Sequence, residues 1–213
     1  MTYGMVIDLK RCIGCRGCEI FCKNAHATAP GVLWSRVLFY ELGTYPAVKK
    51  VPVPVLCMHC RKPACVDVCP TGASIKRSDG IVTIEESKCT GCLNCLMACA
   101  YGARHLSPGK DEGHFPGQGL TPYEKIGSEQ HPRGAVGKCN FCLQRIERGL
   151  KPACVQSCMS KARFFGDLDD PESEVSQLVR KGGAFQIRPV ICSGDRATGE
   201  TSAMDTVVYY LER

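Results

Sequence analysis

The chain has little from which to build an ordinary core: one Trp, seven Phe and seven Tyr in 213 residues. No apolar run approaches the length of a membrane span, so the sequence predicts no transmembrane helix. The opening MTYGMVIDLKRC lacks a basic region followed by a long hydrophobic stretch and a cleavage site, so no export signal of its own is expected. No Ser/His/Asp constellation, phosphate loop or metal site with an open position appears, and the C-x3-C-x2-C triplet of radical chemistry is missing. Those absences predict a chain that is no enzyme by itself.

Cysteine is what the sequence has in excess. Sixteen of its seventeen cysteines fall into four groups of four: Cys12, Cys15, Cys18, Cys22; Cys57, Cys60, Cys65, Cys69; Cys89, Cys92, Cys95, Cys99; and Cys139, Cys142, Cys154, Cys158. The first and third read C-x2-C-x2-C-x3-C, the run in which three close thiolates wrap one 4Fe-4S cluster and the fourth serves its neighbour. At four thiolates per cluster, sixteen make four cubanes. Every iron would then be fully ligated by sulfur, which points to electron transfer rather than substrate chemistry. Converging thiolates have no other reason to meet, so metal binding would supply much of the folding free energy.

Other cysteine chemistries fit less well. A disulfide scaffold is disfavoured because i, i+3, i+6 triplets place thiols too close for separate unstrained partners. A zinc-binding interaction module built from paired C-x2-C units is an alternative of a different class, separable by colour because zinc is d10 and gives no charge-transfer absorbance. A stand-alone polyferredoxin is a third. The formal charge of +6 and pI near 8.5 suggest an anionic partner only until the clusters are counted. Each oxidised core with four thiolates contributes about −2, so four clusters bring the total to about −2. Nucleic acid is therefore not an expected partner, and Arg11, Arg16, Lys23, Lys88 and Lys138 read as counter-charge around clusters.

The organisation is repetitive. Met5-Val-Ile-Asp-Leu-Lys-Arg-Cys12-Ile-Gly-Cys15 aligns with Val82-Thr-Ile-Glu-Glu-Ser-Lys-Cys89-Thr-Gly-Cys92 at an offset of 77, each copy a short strand entering a cysteine loop. Cys69-Pro-Thr-Gly-Ala, Cys99-Ala-Tyr-Gly-Ala and Cys158-Met-Ser-Lys-Ala share a chain-reversing turn. The predicted fold is α+β, duplicated bacterial-ferredoxin-like modules with short strands and helices around four 4Fe-4S clusters. Residues 1–52 with 138–192 form the outer module and 53–103 the inner one. Residues 104–137 are a Gly/Pro-rich surface loop or a partner-clasping arm, and 193–213 a C-terminal tail in which TVVYYL packs as an edge strand. Asp170-Pro171-Glu172 starts a helix that runs to about Lys181, with Asp170 as N-cap.

The residues outside the groups have blander expectations. Cys192 is a buried or inert thiol. His59 is a hydrogen-bond donor behind a cluster or a surface residue rather than a ligand. His26, His105, His114 and His131 are expected in loops, and Trp34 in the core.

Spacing alone leaves the map of ligands to clusters open. The chain resembles the four-cluster iron-sulfur subunits that partner molybdenum enzymes of the dimethyl sulfoxide reductase superfamily. The resemblance runs from MVIDLKRCIGCRGCEIFCK through LCMHCRKPACVDVCPTGA and KCTGCLNCLMACAYGA to KCNFCLQRIERGLKPACVQSCMSKARFFGDLDDPESEV. It implies that motifs pair from the outside inward: Cys12, Cys15, Cys18 and Cys158 on one cluster, Cys139, Cys142, Cys154 and Cys22 on its neighbour. Cys57, Cys60, Cys65 and Cys99 would hold the third, and Cys89, Cys92, Cys95 and Cys69 the fourth. GMVIDL and PGVLWSRV are similar to the iron-sulfur subunits of respiratory arsenate reductases, with polysulfide and thiosulfate reductase subunits near them. The resemblance implies a large catalytic subunit carrying molybdopterin (bis-MGD), and a membrane quinol-oxidising subunit or a soluble carrier as the other electron partner. It also implies a periplasmic or membrane-associated place reached by co-export with a twin-arginine partner, or else a cytoplasmic one.

Overall fold

A computed structural model of the chain describes residues 1–108, 113–115, 117–187 and 205–212. The elements are short, as expected where turns around cysteines interrupt every run. In chain order they are β1 (Tyr3–Asp8), α1 (Gly17–His26), β2 (Arg36–Leu42), β3 (Lys49–Val55), α2 (Ala64–Asp67), β4 (Ser74–Lys76), β5 (Val82–Ile84) and α3 (Asn94–Met97). Then come β6 (His105–Leu106), α4 (Pro122–Gln130), β7 (Val136–Gly137), α5 (Leu143–Ile146), α6 (Ala153–Gln156), β8 (Arg163–Asp167), α7 (Glu174–Arg180), β9 (Ala184–Phe185) and β10 (Val208–Leu211).

Strand pairing follows the cysteine groups. The strand after each motif pairs antiparallel with the strand before the next: β2 with β3, β4 with β5, and β6 with β7. The fourth pair, β8 with β1, joins the last motif back to the first, with Tyr3 opposite Asp167 and Ile7 opposite Arg163. Four antiparallel pairs thus hold the entry and exit of neighbouring cysteine loops together, and the chain returns on itself. Both copies of the sequence repeat do begin as strands, β1 and β5, but in different company, since β1 also pairs in parallel with β10.

That pairing corrects the expectation for the tail. The sheet order is β8-β1-β10-β9, so Val208–Leu211 is an interior strand and not an edge. Alternation within VVYYL misses this because its partners lie at the opposite end of the chain. Val208 and Tyr210 are fully buried, and Tyr210 Oη donates to the Pro54 carbonyl at 2.8 Å. Met5, Val6 and Ile7 of β1 are also fully buried, and the surrounding core includes Trp34, Leu56, Met58, Ile81 and Phe141 together with Cys22, Cys57, Cys139 and Cys154. Cysteine sulfurs thus make up part of a core that has few rings.

Two further expectations change. Residues 104–137 are not a plain loop, because they contain β6, α4 and β7. Thr121 and Glu124 form a capping box at the start of α4, with Pro122 in its first turn, so the local sequence nucleates the helix despite the Gly/Pro content around it. Tyr123 Oη then donates to the Lys23 and Asn24 carbonyls at 3.0 and 2.6 Å, docking α4 on α1. The helix expected from Asp170 starts instead at Glu174, with Ser173 as N-cap. The Asp170 carboxylate accepts from the Glu172 amide at 2.9 Å, an Asx turn that uses up the first residues before helix geometry begins. Its far end is as expected, with Gly182 and Gly183 at positive φ.

Candidate metal centres

Each cysteine motif is folded in the same way. Its third cysteine sits on a short helix: Cys18 on α1, Cys65 on α2, Cys95 on α3 and Cys154 on α6. The first two precede the helix in a loop after a strand or turn (Cys12 and Cys15, Cys57 and Cys60, Cys89 and Cys92, Cys139 and Cys142). The fourth closes the motif (Cys22, Cys69, Cys99, Cys158). The loops pass through left-handed backbone at Gly14, Arg16, His59, Gly91, Leu93, Phe141 and Cys142. Such turns aim consecutive amides inward. At Gly91 glycine is required twice over: φ is +69°, and a Cβ would lie 2.3 Å from the Gly134 carbonyl oxygen.

Helix α1 packs on α6, and α2 on α3, so the first motif meets the fourth and the second meets the third. Cys12, Cys15, Cys18 and Cys158 line one cleft. Burial pushes the Cys22 thiol well up, and the next causes are Cys139, Cys154 and Cys142, all more than a hundred residues away in sequence. The Cys60 thiol is pushed up to about 12 by burial and by Cys57, Cys65 and Cys99. Cys142 is raised to about 11 by burial, with Cys154 adding to it against a lowering hydrogen bond from the Ala153 amide. Bare thiols in such company stay protonated at neutral pH, so the groups suit an acceptor that replaces their protons with metal.

Donors surround the same sulfurs. Backbone amides of Ser74, Ala103 and Ala162 donate to Cys69, Cys99 and Cys158 at 3.5, 3.5 and 3.3 Å, in the three turns that the sequence marked as alike. Val136 and Ala153 donate to Cys89 and Cys142, each at 3.4 Å. At Cys69 burial favours the thiol, yet the hydrogen bonds from Ser74 and Thr71 outweigh it and lower the pKa. Amide and cation donors on sulfur are what tune an iron-sulfur centre. Among the described residues, buried side-chain nitrogens with no partner are His59 Nε2, Arg104 Nε and Nη1, and His105 Nε2, of which the His59 and Arg104 atoms are donors. Orphaned donors in a cysteine-lined interior fit a group rich in acceptors, as inorganic sulfide is.

The side chains around the thiols differ from expectation. His59 is not on the surface: it is fully buried, stacked on Phe141 at 3.8 Å, with Nδ1 accepting from the Val82 amide at 3.0 Å. His26 is not a loop residue but the buried last residue of α1, and its Nε2 lies 3.1 Å from Cys142 Sγ. His131 bonds the His26 carbonyl and Glu86, and His105 opens β6, while His114 pairs with Glu124 between elements. Trp34 is buried against His26 and His131, as expected of a core residue. Cys192 lies outside the described residues.

The expected counter-charges mostly go elsewhere. Lys23 Nζ donates to the Thr28 and Ala29 carbonyls, Lys88 pairs with Glu85, Arg11 pairs with Asp8, and Arg16 lies over Phe39. Lys138 is buried with Nζ on the Val82 and Cys139 carbonyls, and its charge acts on the Cys139 and Cys65 thiols, as expected of a counter-charge. Among the described residues, the cations whose nitrogens reach thiols are Arg104, whose Nη2 is 2.9 Å from Cys65 Sγ, and Arg163, whose Nη2 is 3.2 Å from Cys18 Sγ. Sequence reasoning missed both. The available signal was their common place, five residues after Cys99 and after Cys158, at the end of turns already seen to be alike.

Known proteins share these features. The model of the 4Fe-4S dicluster domain family matches residues 48–114 and 110–168. The arsenate respiratory reductase iron-sulfur subunit of Shewanella sp. (strain ANA-3) is 37% identical over 92% of this chain and 94% of its own length. A sulfite dehydrogenase subunit of Allochromatium vinosum is 38% identical over 87% of the chain and 77% of its own length. A selenate reductase subunit of Mesobacillus selenatarsenatis is 39% identical over 86% of the chain and 66% of its own length. Thiol groups, sulfur-directed donors and these likenesses agree: the chain belongs to the 4Fe-4S dicluster domain family, among the iron-sulfur subunits of oxidoreductase complexes.

Proposed function

We propose that this chain is the electron-transfer subunit of a molybdenum oxidoreductase complex, relaying electrons through four 4Fe-4S clusters. The observation that carries it is the meeting of cysteines from opposite ends of the chain, with Cys22 among Cys139, Cys142 and Cys154 and Cys158 in one cleft with Cys12, Cys15 and Cys18. Cys12, Cys15, Cys18 and Cys158 would hold one cluster, and Cys139, Cys142, Cys154 and Cys22 the second. Cys57, Cys60, Cys65 and Cys99 would hold the third, and Cys89, Cys92, Cys95 and Cys69 the fourth. Each bound cluster supplies one-electron redox chemistry. The chain's own residues fix its place, exclude water from its inner thiolates and offer amide, His and Arg donors that favour its more negative state.

One terminal partner is a molybdopterin (bis-MGD) catalytic subunit, and the other a quinol-linked membrane subunit or a soluble carrier. The likeness to reductase and dehydrogenase subunits supports the first. Exposed Ile13, Ile20, Phe21, Met97 and Met159, all within or beside cysteine motifs, supply apolar surface where a redox partner would need to approach. Among the described residues no helix is long and apolar enough to cross a membrane. Co-export of the folded subunit with a twin-arginine partner is the proposed route to the periplasm. The two modules, residues 1–52 with 138–192 and residues 53–103, would each hold two clusters.

Iron and acid-labile sulfide measured on the anaerobically purified chain test the reading, together with the identity of the large subunit that co-purifies. About sixteen iron per chain is the expected result. Zinc in place of iron would restore the interaction-module reading, and about eight iron would restrict the chain to two clusters.

A further inference from the structure

Arg104 and Arg163 occupy matching places and make matching contacts. Each is buried, at 5% and 4% exposure. Each sends Nη2 both to the third cysteine of a motif and to a serine hydroxyl: Arg104 to Cys65 Sγ (2.9 Å) and Ser74 Oγ (2.6 Å), Arg163 to Cys18 Sγ and Ser35 Oγ (both 3.2 Å). Each guanidinium stands within electrostatic reach of sulfurs from two motifs. For Arg104 these are Cys65 and Cys95, the third cysteines of the second and third motifs. For Arg163 they are Cys154 and Cys18, the third cysteines of the fourth and first. Arg104 also keeps two N–H groups, Nε and Nη1, buried and without partners among the described residues.

A guanidinium suits this position. It is planar, presents five donors in a fork, and is not deprotonated in proteins, so it can face two acceptors at once without exchanging a proton with either. Lys23 and Lys88, though adjacent to cysteines in sequence, instead reach the Thr28 and Ala29 carbonyls and the Glu85 carboxylate.

We propose that Arg163 and Arg104 are positioning residues for electron transfer, each a fixed cation shared by the two clusters of one module and raising both reduction potentials together. This rests on the cluster assignment proposed above, which puts Cys18 and Cys154 on different clusters of the outer module and Cys65 and Cys95 on different clusters of the inner one. Reduction adds one electron to a cluster and leaves the arginine unchanged. The shared positive charge stabilises the more negative state at either end, so both potentials rise together and the step between paired clusters is kept while both become easier to reduce.

The test is EPR-monitored redox titration of the full chain, wild type against Arg163→Gln and Arg104→Gln, with iron counted on every sample. Each glutamine variant is expected to keep four clusters and to lower two of the four midpoint potentials by at least a tenfold change in the reduction equilibrium, 59 mV for a one-electron couple. The pair lowered by one variant is the pair left unmoved by the other. A fully loaded variant with no midpoint moved, one moved, or all four moved overturns the proposal. Should a glutamine variant lose iron, the lysine variant at the same position decides. Lys keeps the charge but not the fork, so one midpoint of the pair stays and one falls; any other pattern, including failure to load, overturns the bridge. A wild-type chain that lacks four clusters defeats the assignment instead, before any variant is compared.

Discussion

His26 and Cys142 stand 116 residues apart in sequence, and the imidazole Nε2 lies 3.1 Å from the thiol sulfur. The Gln144 side chain meets the other ring nitrogen, Nδ1, at 3.5 Å. An amide N–H on Nδ1 leaves Nε2 carrying the hydrogen, so His26 donates to sulfur. Burial lowers the pKa of His26 to about 4, with His131 and Arg145 adding to the effect, so this donor is neutral at pH 7.

His26→Phe keeps the ring and removes the donor. The midpoint potential of one cluster, the one assigned to Cys142, should fall, with the reduced state losing about 1 kcal/mol of stabilisation. EPR-monitored titration of the variant checks this, and an unchanged set of four potentials would contradict a hydrogen bond to sulfur.

Cys22→Ser should cost the cluster assigned to Cys139, Cys142 and Cys154, not the one assigned to Cys12, Cys15 and Cys18, its nearest neighbours in sequence. The reason is spatial, because Cys139, Cys154 and Cys142 are the thiols that act on Cys22. Iron counting combined with EPR on the variant reads the outcome; loss of the other centre alone would refute cross-ligation.

Gly91→Ala and Gly72→Ala separate two effects. Both positions have positive φ, +69° and +65°, but space is open at Gly72 whereas a Cβ at Gly91 meets the Gly134 carbonyl. Gly72→Ala should cost about 1 kcal/mol from backbone strain alone. Gly91→Ala should cost about 2 kcal/mol more and disturb the Val136 amide on Cys89, two residues beyond Gly134. Iron retained during a denaturant titration ranks the variants, and equal losses would show that the contact with Gly134 does not matter.

Glu124 gives a pH dependence. Hydrogen bonds from the Thr121 hydroxyl, then the His114 and Thr121 amides, lower its pKa from 4.5 to about 2. A carboxyl depressed in the fold stabilises it above the unfolded pKa and loses that contribution as pH falls. The difference in amide protection over Pro122–Gln130 between wild type and Glu124→Gln should therefore be full above about pH 4.5 and shrink towards pH 2. Hydrogen exchange of the two proteins across that range is the measurement, and a gap that widens on acidification would reverse the sign.

Much of the chemistry was legible in the sequence because it is local. Three thiols lie within a dozen residues or fewer in each of the first three motifs, so their spacing alone announces the ligand type. The alike turns after Cys69, Cys99 and Cys158 were legible for the same reason, and in the structure each delivers an amide to its cysteine sulfur. What the sequence could not determine is long-range. Alternation marks Val208–Leu211 as a strand but is silent on its neighbours, and only packing against Tyr3–Asp8 and Ala184–Phe185 makes it central. Closeness in sequence likewise serves for Lys138 but not for Lys23 and Lys88, which reach carbonyls and a carboxylate. Arg104 and Arg163 become sulfur donors because the tertiary structure buries them beside thiols, with a serine hydroxyl accepting from the same Nη2 in each case. Short-range spacing determines which groups can bind a cluster. The fold decides which distant thiols stand together and which charge lies beside them, because both depend on Coulomb and hydrogen-bond distances that no local pattern encodes.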